Sequence, residues 1–361
     1  MQIDLLVDSG EFWLRLAADI AAARARVYVQ TLSFEGDAAG TRLAEAMTAS
    51  PAADKRIIVD SYTKYVLSDK FLYTPGNLFD SELRRENKAT VAMIADLNAR
   101  NVAVRFVNPV GPMLCRFACR NHKKIIVVDD RISYIGGVNF SDHNFLWHDM
   151  MLRIEDGPAS DFLANDFLVS WDGGHFGGTV DLGSMRLLSL DGRDNPTAFA
   201  PIFELIDSAT ESIYVQSPYL TFPFCDRLRQ ARQRGVTVTV VTPEENNKKA
   251  MDGYIRWEAA RGDFDLWLYP GRMTHLKAML IDGRRLIAGS SNFDYFSYRF
   301  EQETMAVITD PDLISMFVSR VVEPDQAVSR LVENHTAPRS GYLRRLQMLS
   351  LGQVSAWFTP E

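Results

Sequence analysis

Two stretches decide the reading of this chain: RNHKKIIVVDDRISYIGGVN (120–139) and THLKAMLIDGRRLIAGSSN (274–292). Each contains His-x-Lys-x4-Asp, as His122, Lys124 and Asp129 in one and His275, Lys277 and Asp282 in the other. Each then runs on to Gly-x-x-Asn, Gly136 to Asn139 and Gly289 to Asn292. All five positions recur at one offset, 153 residues, which is 275 minus 122. A lone His on an apolar strand is usually a packed, hydrogen-bonded residue, and a lone Lys a solvated one. Five positions in register leave little room for that reading.

The similarity extends outward from the two stretches. ARVYVQTLSF (25–34) and ESIYVQSPYL (211–220) each follow a helical segment and read as strands, rich in β-branched and aromatic residues. KRIIVD (55–60) and VTVTVVTP (236–243) come next, then VRFV (104–107) and LWLY (266–269), then the buried runs after each His-x-Lys. Strands alternating with helices give α/β layers. The chain reads as two similar halves, residues 1–178 and 179–361, divided at the glycine-rich WDGGHFGG (171–178). Between YVQ and His-x-Lys the first half is longer by about 33 residues. The surplus is placed near 62–95, around a Pro-Gly-Asn turn and several aromatics, as a surface insertion over the site. Near the C-terminus, GYLRRLQMLSLGQV (341–354) reads as an amphipathic helix packed on the core rather than on a membrane.

Composition bounds the partners. The chain has 361 residues, 39 Lys+Arg against 46 Asp+Glu and a net charge of −7, so any anion-binding site is local. Three cysteines, Cys115, Cys119 and Cys225, are too few for a disulfide framework and read as buried thiols rather than metal ligands. The N-terminal MQIDLLVDSGEFWLRL does not read as a signal peptide. No window approaches the ~18–20 apolar residues of a membrane span.

Strand periodicity supplies the geometry. Side chains at i and i+2 share a face, so His122 points with Lys124 and His275 with Lys277. Asn139 and Asn292 follow glycine turns and come from the neighbouring strands. Two related halves then deliver two His, two Lys and two Asn to one cleft. That set suits a phosphoryl group. Ammonium and amide donors bind its oxygens, one imidazole attacks phosphorus and the other protonates the leaving oxygen. The lysines already carry positive charge, so neither metal nor cofactor is required. Asp129 and Asp282 complete the repeated set, with mainly structural work expected where each strand closes into a turn. A nucleophilic imidazole needs an acceptor on its other nitrogen, and Asp149, Glu301 and Glu303 are the candidates. His143 and His148 read as hydrogen-bonded side chains rather than metal ligands; His175 and His335 receive no role.

These residues resemble the phospholipase D superfamily, marked by a duplicated His-x-Lys-x4-Asp, and within it the bacterial cardiolipin synthases. Arg120-Asn121-His122-Lys123-Lys124, Tyr134-Ile135-Gly136-Gly137-Val138-Asn139, Trp147-His148-Asp149, Gln216-Ser217-Pro218-Tyr219 and Tyr269-Pro270-Gly271 carry the likeness. Phe296-Ser297 and Arg299-Phe300-Glu301 depart from the usual pattern after the second Asn, and the membrane-spanning leader of some members is absent. The resemblance implies two α/β/α sandwich domains related by a pseudo-twofold axis, with the active site in the cleft between them. It also implies a covalent phosphohistidine, with His122 attacking and His275 first protonating the leaving alcohol, then activating water or an acceptor alcohol. The expected enzyme is a phosphatidyltransferase or phosphodiesterase of the cytoplasm, a monomer at the inner membrane face. Its partners are a phospholipid and an alcohol or water, with the 62–95 insertion and Phe222, Pro223 and Phe224 meeting lipid. The alternative is a nuclease of the same superfamily, disfavoured by the net charge and the lack of a basic stripe. A non-catalytic phosphate-binding module fits the complete duplicated set least.

Overall fold

A computed structural model of the protein describes residues 1–333 and 338–358; His335 lies outside them. The first half contains β1 (Gln2–Val7), β2 (Arg26–Thr31), β3 (Asp54–Asp60), β4 (Val66–Leu67), β5 (Lys70–Phe71), β6 (Ala103–Val107), β7 (Ile125–Val128), β8 (Ile132–Gly136) and β9 (Met150–Glu155). The second contains β10 (Gly178–Asp181), β11 (Met185–Asp191), β12 (Ser212–Gln216), β13 (Thr237–Pro243), β14 (Asp265–Tyr269), β15 (Ala278–Ile281), β16 (Arg285–Gly289), β17 (Gln302–Ile308) and β18 (Arg330–Leu331). One sheet has the order β1-β9-β8-β7-β2-β3-β6 and the other β10-β11-β17-β16-β15-β12-β13-β14-β18, with β4 and β5 as a separate hairpin. The run β9-β8-β7-β2-β3-β6 matches β17-β16-β15-β12-β13-β14 strand for strand. In both, the last three strands are parallel and the others antiparallel.

Burial on both faces explains the continuous apolar runs. In the first sheet, Val27, Val29, Ile57 and Val59 pack under the helices Asp8–Ala22 and Ala38–Ala49. In the second, Val215, Val238 and Val240 pack under Ala200–Asp207, Phe224–Gln233 and Ala250–Gly262. The opposite faces meet in the middle. Tyr28 and Ile58 of one sheet and Tyr214 and Val241 of the other join Phe167, Trp171, Phe317 and Val321 in a single cluster. Those four come from the helix Gly157–Trp171 and the helical stretch Pro311–Val322, so the inner layer is common to both halves.

Three expectations are corrected. The surplus of the first half is not one block at 62–95. Ser81–Ala99 is a helix in the place that Ala250–Gly262 holds in the second half, so the added chain is the hairpin region 61–80 and the long approach 108–121. The polar sequence hides this helix because only Leu83, Thr90 and Leu97 are buried on it, one every seven residues. The C-terminal helix, Arg339–Phe358, packs on the core through one face, as expected, but is not amphipathic: large apolar side chains also stand exposed on its far side. Cys115 and Cys119 are half-buried rather than buried, in a tight turn with Met113 and Leu114 at positive φ. Among the described residues, no helix is long and apolar enough to cross a membrane.

Candidate active site

β7 and β15 hold equivalent central places in their sheets, and the residues entering them carry the two motifs. Each approach is hydrogen-bonded to the other half. Asn121 bridges Gln302 and Thr274 bridges His148. The His122 N–H donates to the Gln302 carbonyl at 2.9 Å, and the His275 N–H to the His148 carbonyl at 2.6 Å. The seam between halves therefore runs through both motifs. His122, Lys124, His275 and Lys277 are all buried within it.

The carboxylates that orient the imidazoles cross this seam. His122 Nδ1 lies 3.0 Å from Glu303 Oε1, and His275 Nδ1 lies 2.7 Å from Asp149 Oδ2. Each half thus orients the other half's histidine, leaving both Nε2 atoms for chemistry. Glu301 does not take this part; it accepts from Ser297 Oγ at 3.2 Å instead. The single Ser297 hydroxyl proton is shared with the nearer Glu303 Oε1 at 2.7 Å, and Ser290 donates to Glu303 Oε2, fixing that carboxylate. On the other side Gly137 makes room for Asp149, since a Cβ there would lie 2.3 Å from Oδ1. Gly289 does the same for the β17 backbone, where a Cβ would meet the Thr304 carbonyl at 2.2 Å.

The electrostatics follow from burying two cations beside two imidazoles. Desolvation, then the Lys124 charge, pushes His122 down to about 4, Glu303 opposing both. Desolvation and the charges of Lys277, Lys124 and His122 hold His275 well below the ordinary range. The same burial lowers Lys124 to about 8 and Lys277 to about 7. The carboxylates differ. Burial would raise Glu303, but His122, Lys124 and Ser290 outweigh it and hold it low. Burial lifts Asp149 to about 6 despite Lys277. The pocket carries neutral imidazoles and loosely held ammonium protons, and an anion beside the lysines would hold those protons more firmly.

The asparagines flank the cations. Thr31 Oγ1 donates to Asn139 Oδ1 at 3.3 Å, and Asn139 Nδ2 donates to Asn144 Oδ1 at 3.2 Å. The Oδ1 of Asn292 is buried without a hydrogen-bond partner among the described residues. That oxygen is an acceptor, so the group Asn292 could offer an anion is its Nδ2 amide.

Asp129 and Asp282 do not belong to the pocket. After four-residue strands they reach the far end of β7 and β15 and adopt left-handed conformations. Asp129 accepts the N–H groups of Arg24, Ala25 and Arg26 at 2.7–3.1 Å. Asp282 accepts those of Thr210, Glu211 and Ser212 at 2.8–3.3 Å. Each pins the start of a neighbouring strand, which is the work of the acid five residues beyond each motif's lysine.

Other contacts around the pocket appear only in three dimensions. Trp147 packs on His275 with ring centroids 4.7 Å apart, and Tyr219 approaches it edge-on at 6.1 Å. Lys123, pointing away from the pocket, is wholly buried between Asp166 at 2.8 Å and the Phe176 carbonyl at 3.0 Å. His148 is a structural tie, bonded to Asp8 at 2.7 Å and Asp325 at 2.8 Å. His143 stands 3.7 Å from Asp69, and His175 Nδ1 lies 2.7 Å from the Asp191 carbonyl. His122, Glu301 and Glu303 place donor atoms within 4.8 Å of one another, yet Lys124 acts on both glutamates and makes the spot a poor seat for a cation.

Duplicated lobes with paired His and Lys at their seam define a phospholipase D-type protein. Residues 16–171 and 202–321 match the family described as "Cardiolipin synthase, PLD-like domain". The chain belongs to that family. It is 24% identical over 360 residues to the major cardiolipin synthase ClsA of Bacillus subtilis, covering 91% of this chain and 69% of that protein. It is 25% identical to cardiolipin synthase 1 of Staphylococcus epidermidis, covering 92% and 69%. Among solved structures it resembles phosphatidylserine synthase from Haemophilus influenzae, with a TM-score of 0.70, 16% identity and coverage of 98% and 94%. That likeness supports the two-lobed α/β fold.

Proposed function

We propose that the protein is a phosphatidyltransferase that moves a phosphatidyl group between alcohols through a phosphohistidine, as in cardiolipin synthesis. The observation that carries the reading is the pair of crossed carboxylate–imidazole contacts flanking two buried lysines. Lys124, Lys277 and the Asn139 and Asn292 amides bind the nonbridging phosphate oxygens. No metal is needed, because the charge developing on those oxygens meets two ammonium groups in a water-poor pocket.

The inequality of the two carboxylates supports one division of roles. Glu303 stays ionised against His122, which holds the Nδ1–H tautomer and frees Nε2 to attack phosphorus. Asp149 keeps a proton more readily, so His275 and Asp149 form the acid. The His122 Nε2 lone pair forms the N–P bond, the bond from phosphorus to the leaving alcohol breaks, and His275 gives that oxygen its proton. An acceptor hydroxyl then returns a proton to His275, attacks phosphorus and releases His122.

The reaction is placed at the surface of a membrane, the enzyme peripheral to its inner face and acting as a monomer on phosphatidylglycerol with a second lipid alcohol or water as acceptor. Offered phosphatidylglycerol vesicles and, separately, single-stranded DNA, the purified protein should form cardiolipin or phosphatidic acid; DNA cleavage alone would overturn the reading. His122→Ala should abolish turnover, and His275→Ala should accumulate phosphorylated enzyme on an activated substrate. Normal activity in either variant would refute the pairing.

A further inference from the structure

The loop between β13 and the helix Ala250–Gly262 carries a lysine that the mechanism does not use, Lys248. Two asparagines fasten that loop. Asn246 is buried, its Nδ2 donating to the Pro218 carbonyl at 2.7 Å and its Oδ1 accepting the Lys248 N–H at 2.8 Å. Asn247 Oδ1 accepts from the Tyr219 hydroxyl at 2.6 Å, and its Nδ2 donates at 3.0 Å to Asp69 Oδ2, on the turn of the β4–β5 hairpin. The hairpin added to the first half and this loop of the second are thus tied together at Tyr219, the ring that approaches His275.

Lys248 is exposed, yet its Nζ stands 4.2 Å from the centroid of the Tyr219 ring. That ring lies 6.1 Å from the His275 imidazole. One aromatic ring therefore separates this ammonium from the group that handles the leaving and accepting alcohols. Its charge reaches the pocket: burial and the neighbouring charges dominate the lowering of His275 and Lys277, and Lys248 adds to both. The ammonium is not spent on a neighbour. Among the described residues no carboxylate lies within 4.0 Å of its Nζ, whereas the adjacent Lys249 is 4.0 Å from Glu245. The acids that feel its charge are otherwise engaged. Asp294 accepts the Ser297 N–H at 2.7 Å, and burial, with Asp294 and Glu303, pushes Glu301 well above its ordinary range.

Chemistry selects the ligand. Lys124 and Lys277 hold one phosphate. An alcohol presented to His275 with a phosphate of its own, across a glycerol arm, carries that second charge toward Lys248. Water or a neutral alcohol has no charge to offer it. We propose that Lys248 is a second anion-binding position, which selects acceptor alcohols that bear a phosphate of their own. The proposal deepens the phosphatidyl-transfer reading, on which the identity of the reaction rests.

The test uses the full chain with short-chain phosphatidylglycerol as donor, and measures transfer to glycerol, to glycerol phosphate and to a second phosphatidylglycerol. Lys248→Met should lower the ratio of transfer to phosphate-bearing over neutral acceptors about fivefold. Lys248→Arg should restore the ratio, and Lys249→Met should keep that of the parent. Raised salt should erode the parent's ratio and leave that of Lys248→Met flat. A loss with both glycerol phosphate and phosphatidylglycerol supports recognition of the phosphate itself; a loss with phosphatidylglycerol alone supports a lipid-borne phosphate as the ligand. An unchanged ratio, or an equal loss with glycerol, overturns the proposal. Calorimetric titration with glycerol bisphosphate and glycerol phosphate reads the position without turnover. The parent should bind the bisphosphate more tightly, and Lys248→Met should lose that advantage; an advantage kept by the variant overturns the proposal. If the parent turns over no phosphatidylglycerol at all, the phosphatidyl-transfer reading fails, while the titration still judges the anion position.

Discussion

Glu303→Gln replaces the carboxylate behind His122 with a neutral amide of nearly the same shape. Two consequences follow from the contact of 3.0 Å between Nδ1 and Oε1. The charge-assisted hydrogen bond that steadies the positive charge growing on the attacking imidazole is lost, a term of about 1.5–3 kcal/mol. At about 1.4 kcal/mol per decade this lowers kcat by roughly 10- to 150-fold. The amide can also donate to Nδ1 and so hold the tautomer whose Nε2 already bears a proton, which adds to the loss. Substrate binding rests on Lys124, Lys277 and the asparagines, so KM should change by less than about threefold. Steady-state kinetics on short-chain phosphatidylglycerol separates the two parameters, and thermal melting confirms that the variant is folded. Glu301→Gln serves as comparison: it lies beside Glu303 but touches neither imidazole, and its kcat should fall far less. Equal losses from both glutamates, or a Glu303→Gln kcat within twofold of the parent, would refute the assignment of Glu303 to His122.

The remaining predictions test the surroundings. Because Asp149, raised to about 6, must keep its proton for the acid role, and Lys277 and Lys124, lowered to about 7 and about 8, must be charged to hold phosphate, kcat/KM should begin to fall above pH 6 and fall more steeply above pH 7–8. On the acid side, protonation of His122 near 4 sets the limit; a flat pH–rate profile up to pH 9 would contradict this. His148, which burial alone would lower, is raised from 6.5 to about 9 by Asp325 and Asp8. Its stabilisation is therefore complete below pH 6.5 and lost as pH rises through 9, on the order of 3 kcal/mol by linkage, and denaturant titrations of His148→Gln should lack that decline. Asp129→Ala and Asp282→Ala remove several hydrogen bonds to exposed and half-buried N–H groups and should each cost about 0.5–1.5 kcal/mol of stability while leaving kcat within about twofold. Lys123→Met leaves Asp166 without its cation and should destabilise by about 3–5 kcal/mol, read from the same titrations.

The catalytic residues were legible because the chain writes them twice. The offset of 153 residues marks His, Lys and Asn without any knowledge of the fold. The orienting carboxylates escape that logic. From Asp149 to Glu303 the spacing is 154 residues, one more than the repeat, so Glu301 and Glu303 compete on equal terms. That each carboxylate serves the opposite half's histidine depends on how the lobes meet, and no local pattern records it. The shared inner core is hidden for a related reason. Tyr28 and Tyr214 look alike as buried strand residues, and periodicity does not name what covers them. Asp129 and Asp282 were legible as strand ends, but grouping them with the catalytic set followed the motif rather than the geometry.

Crossed pairing makes the two lobes hostages of each other. A hinge that parted them like jaws would pull Glu303 off His122 and Asp149 off His275 in one movement, and would tear open the apolar layer both sheets stand on. Substrate traffic must therefore pass over a fixed rim, with loops and side chains yielding rather than lobes. For the same reason a lobe severed from its twin would keep its motif but lose the group that aims it.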